Sequence, residues 1–209
     1  MLLRIYERLL KTLGPQGWWP VGHGLEPPEW EIMTGAVLTQ NTAWTNVERA
    51  LENLAGAGVR DRESLLKLSW EELAGLIKPS GYYNQKARKL INLAGFGGPY
   101  TRENLLSLWG IGPETADSIL LYARGKAFFV VDAYTRRVFT RIGLISPTWG
   151  YEEVRKFFES RLPRDPEIYK EYHALIVEVA KRFCRPRPAC QGCPMEGFCG
   201  YKGGSASRK

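Results

Sequence analysis

Leu108-Trp109-Gly110-Ile111-Gly112-Pro113-Glu114-Thr115-Ala116 is the stretch whose reading decides the fold of this chain. A helical pattern ends at Leu108, a turn bracketed by glycines follows, and a new helical pattern begins at Pro113. Proline suits a first helical turn, where its missing N–H has no intrahelical partner to lose. Glycine tolerates positive φ and lets the backbone approach another molecule closely, and both Gly110 and Gly112 are read in that way. The helix that starts at Pro113 offers unpaired N–H groups and the positive end of its dipole, a combination that suits a phosphate. Taken alone, Gly-x-Gly reads more simply as a plain helix–helix turn; the surroundings decide otherwise.

Working outward, helical periodicity dominates. Leu2, Leu3, Tyr6, Leu9 and Leu10 lie on one helical face, closed by Gly14. Gly17–Pro28 is turn-rich, with Trp18, Trp19 and three prolines. The pattern predicts helices over Trp30–Thr39, Asn46–Ala55, Glu63–Leu68, Trp70–Leu76, Tyr83–Ala94, Asn104–Leu108, Pro113–Tyr122, Asp132–Arg141, Tyr151–Glu159 and Ile168–Phe183. Ser69 with Glu72 forms a capping-box signature. Phe128–Val131 alone looks strand-like, and the tail Gly203–Lys209 alone is of low complexity. The fold class expected is all-α, built of short helices, with the unusual residues in the loops.

The chain of 209 residues suffices for one domain or two small ones. Its formal net charge of +7 favours a polyanionic partner without requiring one. The longest apolar stretches, Ile119–Ala123 and Ala127–Val131, are too short to span a bilayer. Arg4, Glu7 and Arg8 interrupt the apolar pattern of Met1–Leu10, so it is not a signal peptide. No membrane partner, a cytoplasmic address and a monomeric state are therefore expected.

All four cysteines lie between Cys184 and Cys199, spaced C-x5-C-x2-C-x5-C as Cys184, Cys190, Cys193 and Cys199. Such crowding reads as a local metal or cluster site and not as a disulfide framework. Four thiolates suit a 4Fe–4S cluster or one tetrahedral zinc. A structural zinc more often uses two C-x2-C pairs, and this spacing has one, which favours the cluster. Arg185 and Arg187 in the first intervening loop could contact a nucleic-acid phosphate or form a solvated basic loop.

About twenty residues after the hairpin comes Val130-Val131-Asp132-Ala133-Tyr134-Thr135-Arg136-Arg137. Asp132 follows an apolar run and opens a helix, either as an N-cap or as a carboxylate at the mouth of a cleft. Arg136 and Arg137 on that helix face DNA or solvent.

Together these stretches resemble the endonuclease III branch of the helix-hairpin-helix DNA glycosylases. Leu38-Thr39-Gln40-Asn41-Thr42 resembles that family's helix end bearing the residue that fills the gap left by a flipped base. Gly81-Tyr82-Tyr83-Asn84-Gln85-Lys86-Ala87 resembles its G-x-Y-x-x-K-A stretch, and His173 and Ile176 fall where the family has the helix before its cluster. The resemblance covers nearly the whole chain in order. It implies a two-lobed all-α fold, with a six-helix barrel over residues 21–131. A cluster-bearing helical lobe then comprises residues 1–20 plus 132–209, and the substrate cleft lies between the lobes. It also implies double-stranded DNA containing a damaged base as partner, and a 4Fe–4S cluster as cofactor. Gly110, Ile111, Gly112 and Thr115, with Arg185 and Arg187, are then expected on the DNA backbone. Gln40 and Asn41 are expected at the gap.

Bifunctional members of the family carry a lysine two residues after the second hairpin glycine, which attacks the sugar. Here that position is Glu114, and a carboxylate cannot form an imine. Hydrolysis of the N-glycosidic bond alone is expected, with Asp132 stabilising the oxocarbenium-like sugar and orienting or activating water. Lys86, Lys126 and Lys181 are other amines, without a motif behind them. Trp18-Trp19-Pro20 reads as a rigid stacking wall for a flipped base or as core packing, and Trp44, Tyr82 and Tyr83 could join either. A Trp-Trp-Pro run, LTQNT and a non-lysine hairpin together resemble the 3-methyladenine glycosylases of the superfamily. Oxidised pyrimidines or mismatched bases are the alternative substrates, and a non-catalytic lesion-DNA-binding protein is the non-enzyme alternative.

Overall fold

The computed structural model describes residues 1–201, so the Gly203–Lys209 tail lies outside the described residues. Within them the chain is all-α, without a strand. Two compact units are formed: Met1–Trp18 joined by the chain from Ala127 onward, and Trp19–Lys126.

The Trp19–Lys126 unit is built round α2 (Pro28–Leu38), in which every residue from Trp30 to Leu38 is buried. A helix buried on every side over that stretch has no solvent face and belongs in a core. Around it come α3 (Trp44–Gly56), α4 (Arg62–Leu66), α5 (Trp70–Leu76), α6 (Tyr83–Gly95), α7 (Arg102–Ser107) and α8 (Pro113–Ser118). The capping box is formed: Ser69 Oγ accepts from the Glu72 amide at 3.2 Å, and Glu72 Oε2 accepts from the Ser69 amide at 2.8 Å. The helical run expected over Pro113–Tyr122 is present, but it is α only as far as Ser118. After Ser118 the chain widens into a π turn over Ile119–Ala123, all of whose residues are buried.

The other unit holds α1 (Leu2–Leu13), α9 (Ala133–Ile142), α10 (Tyr151–Glu159) and α11 (Pro166–Arg182). Helix α11 is its core, with α1 and α9 packed on it. Phe129 stacks on Phe158 at 4.2 Å, Phe139 meets Phe158 edge-on at 4.7 Å, and the Tyr172 hydroxyl donates to the Leu2 carbonyl at 3.0 Å. Helix α11 starts two residues before the expected Ile168, because Pro166 takes its first turn and Asp165 caps it.

The strand expected over Phe128–Val131 is absent. The segment is largely buried, but no strand forms among the described residues for it to pair with. Side chains take its amides instead: Glu159 Oε1 accepts from Phe129 N at 2.9 Å, and the Tyr151 hydroxyl lies 3.4 Å from Val131 N.

Candidate active site

The hairpin lies within the Trp19–Lys126 unit. An ion pair clamps its two helices: Arg102 on α7 donates through Nε to Asp117 Oδ1 at 2.6 Å and through Nη2 to Oδ2 at 3.2 Å. Asp117 is wholly buried. Ile111 plugs the turn from inside, 4% exposed, and its amide bonds back to Leu108 O at 3.1 Å. The two glycines do different things. Gly110 is left-handed, with φ +83°, and an added Cβ would lie 2.5 Å from Lys89 Cε. Gly112 sits at φ −87° as the N-cap of α8, and an added Cβ would meet nothing within 4 Å. The expectation of positive φ therefore fails at Gly112, whose backbone any residue could adopt. What a side chain there would occupy is the open space before the first turn of α8. Trp109 is exposed and carries the Arg88 guanidinium 4.6 Å above its ring. Glu114, in that first turn, is exposed.

The turn after α2 reaches the hairpin through Gln40. Its Nε2 donates to Thr115 Oγ1 at 2.8 Å, and its Oε1 accepts from Lys89 Nζ at 2.5 Å. Thr115, expected on the DNA backbone, is buried and serves as acceptor for Gln40. Asn41 is exposed and left-handed, with φ +54°. Lys86 is buried, and its ammonium donates to Leu38 O at 2.8 Å and Ser80 O at 2.6 Å. Burial, with Lys89 nearby, lowers its pKa to about 8.

Trp18 ends the first segment of one unit and Trp19 begins the other. Trp19 packs edge-on against Trp44 at 5.4 Å and Tyr122 at 5.0 Å. Gly35 on α2 makes room for it, since a Cβ there would lie 3.3 Å from the indole nitrogen. Beside Trp44 stands His23, with ring centroids 6.4 Å apart, and its Nδ1 lies 2.9 Å from the buried Glu31. Burial alone would raise the Glu31 carboxyl; hydrogen bonds from His23 and from the amides of Leu25 and Gly22 outweigh it and hold the pKa down. Nothing in the sequence pattern marked His23 or Glu31. Pro20 is half-buried after the tryptophans, and Tyr82 is exposed at the N-cap of α6 with φ +45°.

Trp18 instead belongs with Asp132 and His173 in the other unit, its ring 5.8 Å from the His173 ring and 5.8 Å from Lys181 Nζ. Asp132 is the N-cap of α9: Oδ1 accepts from the Thr135 amide at 2.7 Å. Oδ2 lies 3.5 Å from His173 Nε2, and the carboxylate is 13% exposed. Burial pushes its pKa up, but the His173 contact and the Thr135 amide outweigh that and bring it below the usual value. The cap and the ionised, slightly accessible carboxylate are thus one group. Arg136 and Arg137 are half-buried, and each holds a carbonyl of its own unit. Arg136 donates to Trp149 O at 2.7 Å, and Arg137 to Cys184 O at 2.7 Å.

Cys184, Cys190, Cys193 and Cys199 line a single cavity of about 170 Å³ with Arg141, Phe183, Met195 and Tyr201. Arg141 donates to Cys184 Sγ at 3.3 Å and to Arg185 O at 2.6 Å, and its own carbonyl lies 3.7 Å from Cys199 Sγ. Burial and the three other thiols push the Cys193 thiol up, against a hydrogen bond from the Met195 amide. Among the described residues no three Cys, His, Asp or Glu side chains converge as they would on one metal ion. Arg185 and Arg187 are exposed on this loop.

Residues 34–164 match the model of the HhH-GPD superfamily base excision DNA repair proteins. The chain is 45% identical over 215 aligned positions to a Methanocaldococcus jannaschii protein provisionally named a DNA repair glycosylase, covering 95% of this chain and 96% of that one. It is 30% identical to endonuclease III of Thermotoga maritima over 84% of each chain. Its structure is similar to that of the H. pylori 3-methyladenine DNA glycosylase bound to 1,N6-ethenoadenine, with a TM-score of 0.71 and 32% identity over 87% of this chain and 95% of that one. With a hairpin clamped by Arg102 and Asp117, and a family match running from α2 into α11's approach, the chain belongs to the HhH-GPD superfamily of base excision DNA repair proteins.

Proposed function

We propose that this protein is a monofunctional DNA glycosylase that hydrolyses the N-glycosidic bond of an alkylated purine, such as 3-methyladenine, in double-stranded DNA. The observation that carries the reading is the state of Asp132: an ionised carboxylate anchored by Thr135 and His173. Breaking a nucleoside bond develops positive charge on the sugar. A fixed carboxylate stabilises that charge and can accept a proton from the attacking water.

A carboxylate at Glu114 supports hydrolysis without strand cleavage, since it cannot form a Schiff base. The burial of the Lys86 amine between two carbonyls supports the same reading, because it argues against that amine as a substitute nucleophile. The aromatic group Trp19, Trp44 and Tyr122 supports an alkylated ring. Such rings often carry positive charge, and an aromatic face favours a cation by about 0.5–2 kcal/mol. The 32% identity to a 3-methyladenine glycosylase points the same way. A second reading, an endonuclease III-like glycosylase for oxidised pyrimidines or mismatched bases, is favoured by the Thermotoga maritima relative.

The cysteines fit a 4Fe–4S cluster. The donor set is thiol only, and all four cysteines line one cavity. Cys184, Cys190, Cys193 and Cys199 would hold the cluster, which would cross-link the loop bearing Arg185 and Arg187. Those two cations, with the Gly110–Gly112 turn, would then engage phosphates.

The test is a panel of duplexes bearing 3-methyladenine, ethenoadenine, an oxidised pyrimidine or a mismatch, each scored with and without alkali. Base release from the alkylated purines with alkali-dependent strand breaks is expected. Release confined to oxidised pyrimidines or mismatches selects the second reading. Breaks without alkali overturn monofunctional action.

A further inference from the structure

Gln40 is held at both ends of its amide. Lys89 Nζ donates to Oε1 at 2.5 Å, while Nε2 donates to Thr115 Oγ1 at 2.8 Å and lies 3.4 Å from Gly110 O. Lys89 stands on α6, which contains neither the turn after α2 nor the hairpin. Its stem runs beneath Gly110, where a Cβ would come within 2.5–2.9 Å of Lys89 Cε, Cγ and Cδ. One side chain therefore touches the hairpin with its methylenes and Gln40 with its charge.

We infer that Lys89 is a positioning residue for Gln40, locking the gap-filling turn to the phosphate-binding hairpin. An ammonium has only donors, so only the amide oxygen of Gln40 can face it. The NH₂ group is then turned toward Thr115 and Gly110, and a flipped amide would set donor against donor. The orientation of Gln40 is thus fixed before DNA arrives, and less side-chain freedom is lost when the turn meets a duplex gap. Burial of the ammonium, which lowers its pKa, marks the same site as partly closed to water. This inference rests on the reading of Gln40 as the gap-filling residue.

The test compares equilibrium binding of the full chain to two duplexes of one sequence, one intact and one with a tetrahydrofuran abasic site. Lys89→Met keeps the stem under Gly110 and removes the charge. It should cut the abasic-over-intact preference about tenfold, the scale of one hydrogen bond to a charged group. Lys89→Arg, which keeps a donor there, should restore most of that preference. Gln40→Ala should lose the preference too, and adding Lys89→Met to it should cost little more. Arg88→Met, which removes the neighbouring exposed charge, should weaken both duplexes alike. Equal weakening of both duplexes by Lys89→Met, or additive losses in the double variant, would overturn the inference and leave Lys89 a plain phosphate cation. Full abasic preference in Gln40→Ala would overturn the gap-filling reading itself, and the inference with it. That outcome is distinct, since failure of Lys89 alone leaves the Gln40→Ala loss in place.

Discussion

Nε2 of His173 lies 3.5 Å from Oδ2 of Asp132, the carboxylate oxygen not taken by the Thr135 amide. The two residues are 41 positions apart, on α11 and at the start of α9, and their meeting keeps a nearly buried carboxyl ionised. Asp132→Asn preserves the cap, since asparagine caps as well as aspartate, but removes the charge. Excision should fall by roughly 10²–10⁴, the range for one such catalytic group. Binding to lesion DNA should hold or tighten.

The same pair sets a pH dependence. With its folded pKa below the unfolded value, Asp132 adds stability that is present above the unfolded pKa and lost as pH falls through the folded one. His173→Gln removes a lowering influence and leaves the burial. The Asp132 pKa should then rise, and the acid limb of the excision rate should move to higher pH. An unmoved acid limb would detach His173 from Asp132.

The hairpin glycines separate folding from binding. Gly110→Ala forces a side chain into φ +83° and against the Lys89 stem, which should cost about 1–3 kcal/mol of stability. Gly112→Ala adds a methyl into open space at an ordinary φ of −87°, so the melting temperature should stay put. Binding to every duplex should nonetheless weaken alike, because a phosphate contact carries no sequence information. For the unaltered chain, about five neutralised phosphates would give a log–log salt slope near −4 to −5. A Gly112→Ala variant that binds normally would show that this turn does not approach DNA.

Local signals carried most of the fold. Tyr151–Glu159 and Trp70–Leu76 are the helices that periodicity and caps outlined, and Asp132 was legible as a cap because it follows an apolar run. What stayed hidden depends on packing between distant segments. Gln40 meets Lys89 and Thr115 across 49 and 75 residues, separations at which no periodicity exists. Trp18 meets His173 and Trp19 meets Trp44, ring contacts that no local pattern announces. Phe128–Val131 has the composition of a strand, but composition cannot show that side chains would take its amides. Arg136 and Arg137 read as facing DNA or solvent, because the carbonyls they hold, Trp149 O and Cys184 O, lie 13 and 47 residues away.

For the cysteine loop, protein purified under gentle conditions should be yellow-brown, with iron and sulfide in equal amounts. Cys193→Ser removes one of the two half-buried members of the set, Cys184 being the other. It should loosen the loop, lower the melting temperature and weaken DNA binding through Arg185 and Arg187. A colourless protein holding one tight zinc would refute the cluster.

Lys86 has an amine depressed to about 8, a property that often marks a nucleophile. Its surroundings argue for a structural role, since both carbonyls it meets, Leu38 O and Ser80 O, are buried with it. Two measurements separate these roles. Borohydride should trap no covalent complex between the unaltered protein and abasic DNA; a strong adduct lost in Lys86→Met would make this lysine the nucleophile. The second is stability against pH. Between about 8 and the unfolded value of 10.5 the unfolded chain keeps a proton on Lys86 that the folded chain has released. Unfolding free energy should therefore rise with pH in that window, by up to about 1.4 kcal/mol per pH unit. Below it, the buried charge weighs against the fold. Lys86→Met should flatten this rise specifically, while losing about 1–3 kcal/mol for each of the two buried carbonyls left without that donor. Glu114→Lys, by contrast, puts an amine in the exposed first turn of α8, where the helix dipole disfavours its charge. A borohydride-trapped adduct in that variant, and none in the unaltered chain, would show that the missing amine is what confines the protein to hydrolysis.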